Sequence, residues 1–249
     1  MQAMIFAAGL GTRLKPLTDT MPKALVSVGG EPLIRRVLQR LADAGVGRVV
    51  VNVHHFASQI TQYLSENRNF GLDIAISDET GGLLETGGGI KHAAPLFDAG
   101  SPVLIHNVDI LSNVNLRKFY NIAAESEAAA TPVDAVLLVS WRKTKRYLLF
   151  DDDMRLVGWT NIETGEVKSP YRELDPRKCR MYAFAGIHVI SPRMFPLMDA
   201  FPEKFSIIDL YLKTCATHNI KGYVKDDLKL MDIGKLDTLA QAETFLSEL

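Results

Sequence analysis

Residues 5–25 read "IFAAGLGTRLKPLTDTMPKAL": an apolar run, then Gly9, Gly11 and Thr12, then Arg13, Lys15 and Lys23. Glycines let a backbone approach phosphate oxygens closely, and successive N–H groups in a turn form an anion-binding concavity. Arginine grips two phosphate oxygens at once, whereas lysine delivers a movable point charge. The chemistry these residue types suit is the binding of a polyphosphate. Two common phosphate fingerprints do not fit, since Leu14 stands where a third glycine of G-x-G-x-x-G would fall and no Gly-Lys-Ser/Thr follows. The segment is also longer than an ordinary strand-to-helix connection, which itself points to function. A plain surface turn with solvated lysines would read the same way in isolation, so the case depends on what else converges there. Asp109, just beyond the apolar "PVLI", and Asp232, in "LMDIG", are isolated acids of a kind that most often cap a turn or helix.

The elements that would position these groups alternate in type. "AMIFAA" is a short apolar run, and "PLIRRVLQRLADAG" has helical periodicity, with Leu33, Ile34, Val37, Leu38 and Leu41 on one face and Arg35, Arg36 and Arg40 on another. "RVVVNV" is a β-branched run suited to a strand buried on both faces. "FASQITQYLSE", "LDIAIS", "TGGGIKHAAPLF" and "PVLIHNVD" continue as helix, strand, helix, strand. Such alternation predicts an α/β fold with a mixed, mainly parallel sheet flanked by helices and right-handed crossovers. From about Asp134 the runs "AVLLVS", "YLLFDD", "RLVGWTN" and "YAFAGIHVI" predict a small antiparallel extension, before helices return at "SIIDLYLKTCATH" and "KLDTLAQAETFLSEL". With no Pro-, Gly- or Ser-rich linker and no internal repeat, one domain over residues 1–249 is expected. In such sheets ligands bind beyond the carboxyl ends of the strands, which directs attention to the loop after the first one.

Composition narrows the partners. A hydrophobic fraction of 47% supports a globular core, and a net charge of -1 offers no global field for nucleic acid or an anionic membrane. Anionic ligands must therefore be met by local cations. The two cysteines, Cys179 and Cys215, have neither metal-ligand nor disulfide spacing, and read as reduced core thiols. No apolar run approaches a membrane span, and "MQAMIFAAG" lacks the basic region of a signal peptide, so a cytoplasmic location is expected.

The order of several motifs goes further. Gly9, Gly11, Thr12 and Arg13 followed by Pro22 and Lys23 resemble the signature of sugar-1-phosphate nucleotidyltransferases. "PKALVSVGGEPLIRRVLQRLADAGV", "LLETGGGI", "NVD", "FAGIHVISP" and "LMDIGKLDTLAQAE" extend the resemblance over essentially the whole chain, and within the family it looks most like the short N-acetylmuramic acid 1-phosphate uridylyltransferases. The resemblance implies a Rossmann-like nucleotide-diphospho-sugar transferase fold. It implies that the phosphate of a sugar 1-phosphate attacks the α-phosphate of an NTP and that pyrophosphate leaves. On the matching motifs, the backbone of Leu10, Gly11, Thr12 and Arg13 would cradle the triphosphate, Arg13 would stabilise pyrophosphate, and Lys23 would neutralise the reacting phosphates. Asp109 and Asp232 would bind Mg2+, which suits carboxylates combined with substrate phosphates. Glu85, Thr86 and Gly87 would border base and ribose, with Thr86 as an N-cap of its own helix the compatible alternative. Asn107 would help position ribose or sugar, and Gly186 would let the sugar approach the backbone. Lys168, in "EVKSP", would contact sugar phosphate or stand as an exposed hairpin lysine.

Two positions depart from the family pattern. Val108 replaces the usual glycine between Asn107 and Asp109, where a β-branched side chain could crowd the nucleotide. Lys235 replaces the usual threonine after Asp232-Ile-Gly, and would add a phosphate contact or cap the last helix. His54 and His55 are expected to be loop or capping residues without a metal. The expected activity is uridylyl transfer, with mannose- or heptose-1-phosphate guanylyl transfer or cytidylyl transfer as neighbours. A non-catalytic nucleotide-sugar-binding subunit is the reading from another class, which loss of Arg13, Lys23, Asp109 or Asp232 would have favoured. A nucleotide-sugar glycosyltransferase would more naturally show D-x-D than Asn107-Val108-Asp109. A sugar kinase that supplies the 1-phosphate is an expected functional link.

Overall fold

The computed structural model describes all residues, Met1–Leu249. In chain order the elements begin with β1 (Gln2–Phe6), two short strands β2 (Ser27–Val28) and β3 (Glu31–Pro32), α1 (Leu33–Asp43), β4 (Arg48–Val53), α2 (Ala57–Glu66) and β5 (Asp73–Asp78). Next come α3 (Glu85–Ala93), β6 (Val103–Asn107), β7 (Ile110–Ser112), α4 (Leu116–Ala124) and β8 (Ala135–Ser140). The chain continues through β9 (Arg146–Phe150), β10 (Leu156–Asn161), β11 (Glu166–Lys168) and β12 (Arg180–Ile190). It closes with α5 (Ile207–Thr214), β13 (Ile220–Val224), β14 (Leu230–Asp232) and α6 (Leu236–Ser247).

Ten of these strands form one mixed sheet. β6, β1, β4 and β5 are successive parallel neighbours, as are β8 and β13. The antiparallel part is built around β12, which pairs with β9 through Arg180–Tyr182 and with β6 through Ile187–Ile190. β9, β10 and β11 then run outward as the expected antiparallel extension.

Alternation along the strands sends successive side chains to opposite faces, and the sheet is covered on both. Ala3 and Ile5 of β1 pack in the core that holds α1, α2 and α4, while Met4 packs in the core that holds α3 and α5. The expected apolar stripe of α1, Leu33, Ile34, Val37, Leu38 and Leu41, is wholly in the first core. Burying each such side chain contributes about 1.5–3 kcal/mol, which explains why helical periodicity rather than capping defines this helix. No helix is long and apolar enough to cross a membrane.

The chain leaves β1 for β4 and β5 on one side, then returns to place β6 on the other side of β1. Loops leaving the carboxyl ends of β1 and β6 therefore diverge, and a crevice opens between them.

Candidate active site

That crevice is a cavity of about 250 Å³ bordered by Phe6 at the end of β1 with Ala8 and Gly9 beyond it, Asn107 at the end of β6 with Asp109 beyond it, and Lys23. The loop after β1 is not irregular throughout. It contains three single 3-10 turns, Thr12–Leu14, Leu17–Asp19 and Lys23–Leu25, pinned to the core by buried Leu14, Thr18, Pro22 and Ala24. The Thr18 hydroxyl donates to the Gly11 carbonyl at 2.8 Å, and Leu14 N–H donates to the same oxygen. Gly11 has φ +63°, and a Cβ there would lie 2.8 Å from Thr18 Cγ2 and 3.2 Å from Lys23 Cβ. A side chain at this position would clash with Thr18 and press on Lys23. The backbone N–H groups of Gly9, Leu10 and Gly11 have no protein acceptor, and Leu10 is exposed.

Lys23 and Asp109 form an ion pair in which the side chains are only 11% and 16% exposed. Asp232 reaches the same place from the far end of the sequence. β7 and β14 form a two-stranded antiparallel ribbon with Asp232 opposite Ile110, and Ile233 N–H donates to the Asp109 carbonyl at 2.8 Å. A Cβ on Gly234 would lie 2.7 Å from both an Arg13 guanidinium nitrogen and Asp232 Oδ1, so these two charged groups flank the same glycine. Burial first, and then the charge of Asp109, raise the Asp232 carboxyl above the ordinary aspartate range, while Lys23, Arg13 and Arg142 oppose the shift. Asp232 Oδ1 is buried without a hydrogen-bond partner.

An orphaned, buried carboxylate oxygen beside a second aspartate is a fit for a hard divalent cation. No third His, Cys, Asp or Glu completes a protein cage. This donor set suits a cation that takes its other ligands from phosphate and water rather than one held wholly by protein.

The other expected residues divide. Glu85 and Thr86 border the cavity, but Gly87 does not. Gly87 is buried beneath the Phe205 ring, where a Cβ would lie 2.3 Å from a ring carbon, and its N–H donates to the Phe205 carbonyl. The flat ring accommodated by this glycine belongs to the protein. Thr86 does not cap its own helix either: its Oγ1 accepts from Ile207 N–H at 3.0 Å, which satisfies a free donor at the start of α5. Gly186 adopts φ +74° where the pairing of β12 with β8 slips, and a Cβ there would lie 2.7 Å from Asn107 Nδ2. Asn107 and Gly186 are thus brought together, with the glycine vacating the space the amide needs.

Lys168 lies elsewhere, in a second cavity of about 540 Å³ between the antiparallel extension and α5. Its ammonium is 5.2 Å from the Trp159 ring centroid and 3.6 Å from Glu166. Val108 borders the first cavity, yet it is 3% exposed and packs in the core with α1, so its bulk is directed into the protein interior rather than crowding a ligand. Lys235 is exposed at the N-cap of α6, where its backbone N–H donates to Thr238 Oγ1.

Sequence reasoning overlooked three residues. Asn52, at the carboxyl end of β4, accepts from Ala7 N–H at 2.7 Å and Ala8 N–H at 3.3 Å, and donates to Glu79 Oε1 at 2.7 Å. Glu79 Oε2 in turn accepts from Leu84 N–H at 3.1 Å. This buried chain ties the two loops flanking the cavity to each other. The signal for it was the polar residue inside the β-branched run of "RVVVNV" and an acid just past "LDIAIS". His54 braces the same loop by donating from Nδ1 to the Glu79 carbonyl, and His55 packs on Phe56. The third is Arg142, which donates to the Phe184 carbonyl at 3.1 Å and lines the second cavity.

A crevice at a strand-order reversal with cations and paired acids at its mouth defines a nucleotide-handling α/β protein. Comparison with known proteins is more specific. Residues 2–248 match the family model described as nucleotidyl transferase, and the chain belongs to that family. It is 35% identical over 99% of its length to N-acetylmuramate alpha-1-phosphate uridylyltransferase of Caulobacter vibrioides, covering 97% of that protein. To the protein of the same description from Neisseria meningitidis it is 44% identical over half of this chain and 53% of that one. Among solved structures, HddC from Yersinia pseudotuberculosis complexed with GMP-PN superposes with a TM-score of 0.71 at 22% identity, covering 98% of this chain and 99% of that one, a likeness of fold.

Proposed function

We propose that residues 1–249 form a single sugar-1-phosphate nucleotidyltransferase domain that transfers UMP from UTP to N-acetylmuramic acid 1-phosphate, giving the UDP-sugar and pyrophosphate. The observation that carries this reading is the meeting of Lys23 and Arg13, from the loop after β1, with Asp109 and Asp232, from two distant segments, at the mouth of one crevice. The near full-length similarity to an enzyme named for this activity supports the choice of base and sugar.

In the reaction an oxygen of the sugar phosphate bonds to the α-phosphorus of UTP, and the bond from that phosphorus to the β-phosphate bridging oxygen breaks. The attacking phosphate is already ionised at neutral pH, so no general base is required. The difficulty is bringing two anions together, which positioned positive charge relieves. The free N–H groups at Gly9, Leu10 and Gly11 suit triphosphate oxygens, with Thr12 beside them. Arg13 is exposed and clamps the leaving pyrophosphate. Lys23, held by Pro22 and the Gly11 turn, exchanges its contact with Asp109 for the reacting phosphates. Asp109 and Asp232 would hold Mg2+, which when bound supplies Lewis-acid polarisation of phosphate oxygens. Glu85 and Thr86 border the base and ribose, Asn107 and Gly186 lie toward the sugar, and Lys168 belongs to the sugar cavity.

The test is incubation with each of the four NTPs, Mg2+ and a panel of sugar 1-phosphates while pyrophosphate release is followed. UTP with an N-acetylmuramic acid 1-phosphate acceptor is expected to turn over fastest. Asp109→Asn should abolish the Mg2+ dependence along with the activity. No pyrophosphate release with any pair would refute the reading.

A further inference from the structure

The larger cavity has its own charge pattern, and the proposed acceptor phosphate only partly accounts for it. Register places two cross-strand rows on one face of the β9–β10–β11 extension. One is Arg146, Asn161 and Glu166, and the other is Leu148, Trp159 and Lys168. All six line the cavity, and the first turn of α5 forms the facing wall with Ser206, Ile208 and Asp209. Both acids here are already compensated. Glu166 is 3.6 Å from Lys168, and Asp209 is in the first turn of α5, where the helix dipole favours negative charge.

The two guanidiniums are not compensated. Lys145, next to Arg146 in sequence, pairs with Glu163, and Arg180 pairs with Asp152, but Arg142 and Arg146 have no carboxylate partner. Arg142 donates to the Phe184 carbonyl, two residues before Gly186, which packs on Asn107 at the border of the first cavity, so it stands at the end of the larger cavity nearest the reacting phosphates. Arg146 stands in register with the Asn161 amide on the sheet face, in the row that runs out to Glu166. A cavity with two unpaired forks, one toward the phosphates and one on its own wall, matches a ligand with two separate anionic groups.

Resting on the proposed reaction, we infer that Arg146 is a specificity-determining residue that receives a carboxylate carried on the sugar, with Asn161 donating beside it. The cavity therefore selects acidic sugar 1-phosphates over neutral ones of the same ring. The selection comes from charge and fork geometry, because a neutral substituent would leave the guanidinium without an acceptor.

Calorimetric titration of the full chain, with Mg2+ and with or without a non-hydrolysable UTP analogue, tests this directly. The probes are N-acetylmuramic acid 1-phosphate and N-acetylglucosamine 1-phosphate, which differ by the lactyl ether and its carboxylate. The acidic sugar is expected to bind at least about tenfold more tightly. Arg146→Gln should collapse that ratio toward one, and Arg146→Lys, which keeps charge without the fork, should keep part of it. Arg146 is exposed, so neither variant threatens folding. Equal affinities in the unaltered protein, no binding of the acidic sugar, or an unchanged ratio in Arg146→Gln would each overturn the inference. The outcomes separate the two claims. Turnover without the acid preference refutes the role of Arg146 alone, whereas acid preference without pyrophosphate release with any NTP refutes the transferase reading alone.

Discussion

Lys23→Met removes one charge and retains most of the side-chain stem. Two effects follow, and they are read by different assays. Lys23 and Asp109 are 11% and 16% exposed, so loss of the ammonium leaves a mostly buried aspartate unpaired beside Asp232. Removing one partner of a buried pair costs about 3–5 kcal/mol, and the residual exposure here favours the lower figure. At about 2–4 °C per kcal/mol for a chain of this size, Tm should fall by about 6–12 °C in metal-free buffer. Added Mg2+ should recover part of that loss, because a cation at the two carboxylates replaces the missing charge. In turnover, loss of a charge aimed at the transition state costs about 100- to 1000-fold in kcat. Pyrophosphate release under saturating substrates and thermal unfolding with and without Mg2+ give the two readouts. A variant with turnover within threefold of normal and an unchanged Tm would refute the account of Lys23.

Asn52→Ala strands two backbone donors and Glu79, at about 1–3 kcal/mol for each unsatisfied group, and should lower Tm while raising KM for the NTP more than it lowers kcat; an unchanged KM would argue against the bracing role. Gly87→Ala drives a methyl into Phe205 and should destabilise by about 1–3 kcal/mol, with Phe205→Leu relieving the effect in a double-mutant cycle; simple additivity would count against that packing. His106 and His188 are both buried and pushed down to about 3 from the ordinary 6.5. Their neutral forms fit the fold, so stability they contribute is complete above pH 6.5. It declines as pH falls below 6.5, by about 1.4 kcal/mol per pH unit for each. Urea-unfolding midpoints between pH 7.5 and 5 should show that decline, with a shallower slope in His188→Gln; a flat profile would refute the assignment.

Much of the architecture was legible in one dimension because its signals are local. The period of "PLIRRVLQRLADAG" and the β-branched run "RVVVNV" specify helix and strand by the spacing of apolar residues alone. The anion-binding character of the loop after β1 was equally local, since Gly9, Gly11, Arg13 and Lys23 all lie within fifteen positions. The glycine run after Leu84 shows where local reading fails. Its composition suits a ligand ring, but whether a ligand or Phe205 fills that space depends on a segment more than a hundred residues away.

What the sequence determined by itself is therefore the strand–helix alternation of the first half, the antiparallel strands that follow it and the location of a cationic, N–H-rich turn, because backbone periodicity and turn chemistry act between neighbours; α4, β7, β13 and β14 were not legible in it. Only the tertiary structure decided that Asp232 lies beside Asp109, that Asn52 and Glu79 brace two loops, and that Gly186 makes room for Asn107. Those outcomes depend on strand order and on pairing between distant segments, above all the short β7–β14 ribbon that carries the second acid to the mouth of the crevice. A carboxylate acquires its chemistry from the charges within a few ångströms of it, and that neighbourhood comes into being only when the chain closes on itself.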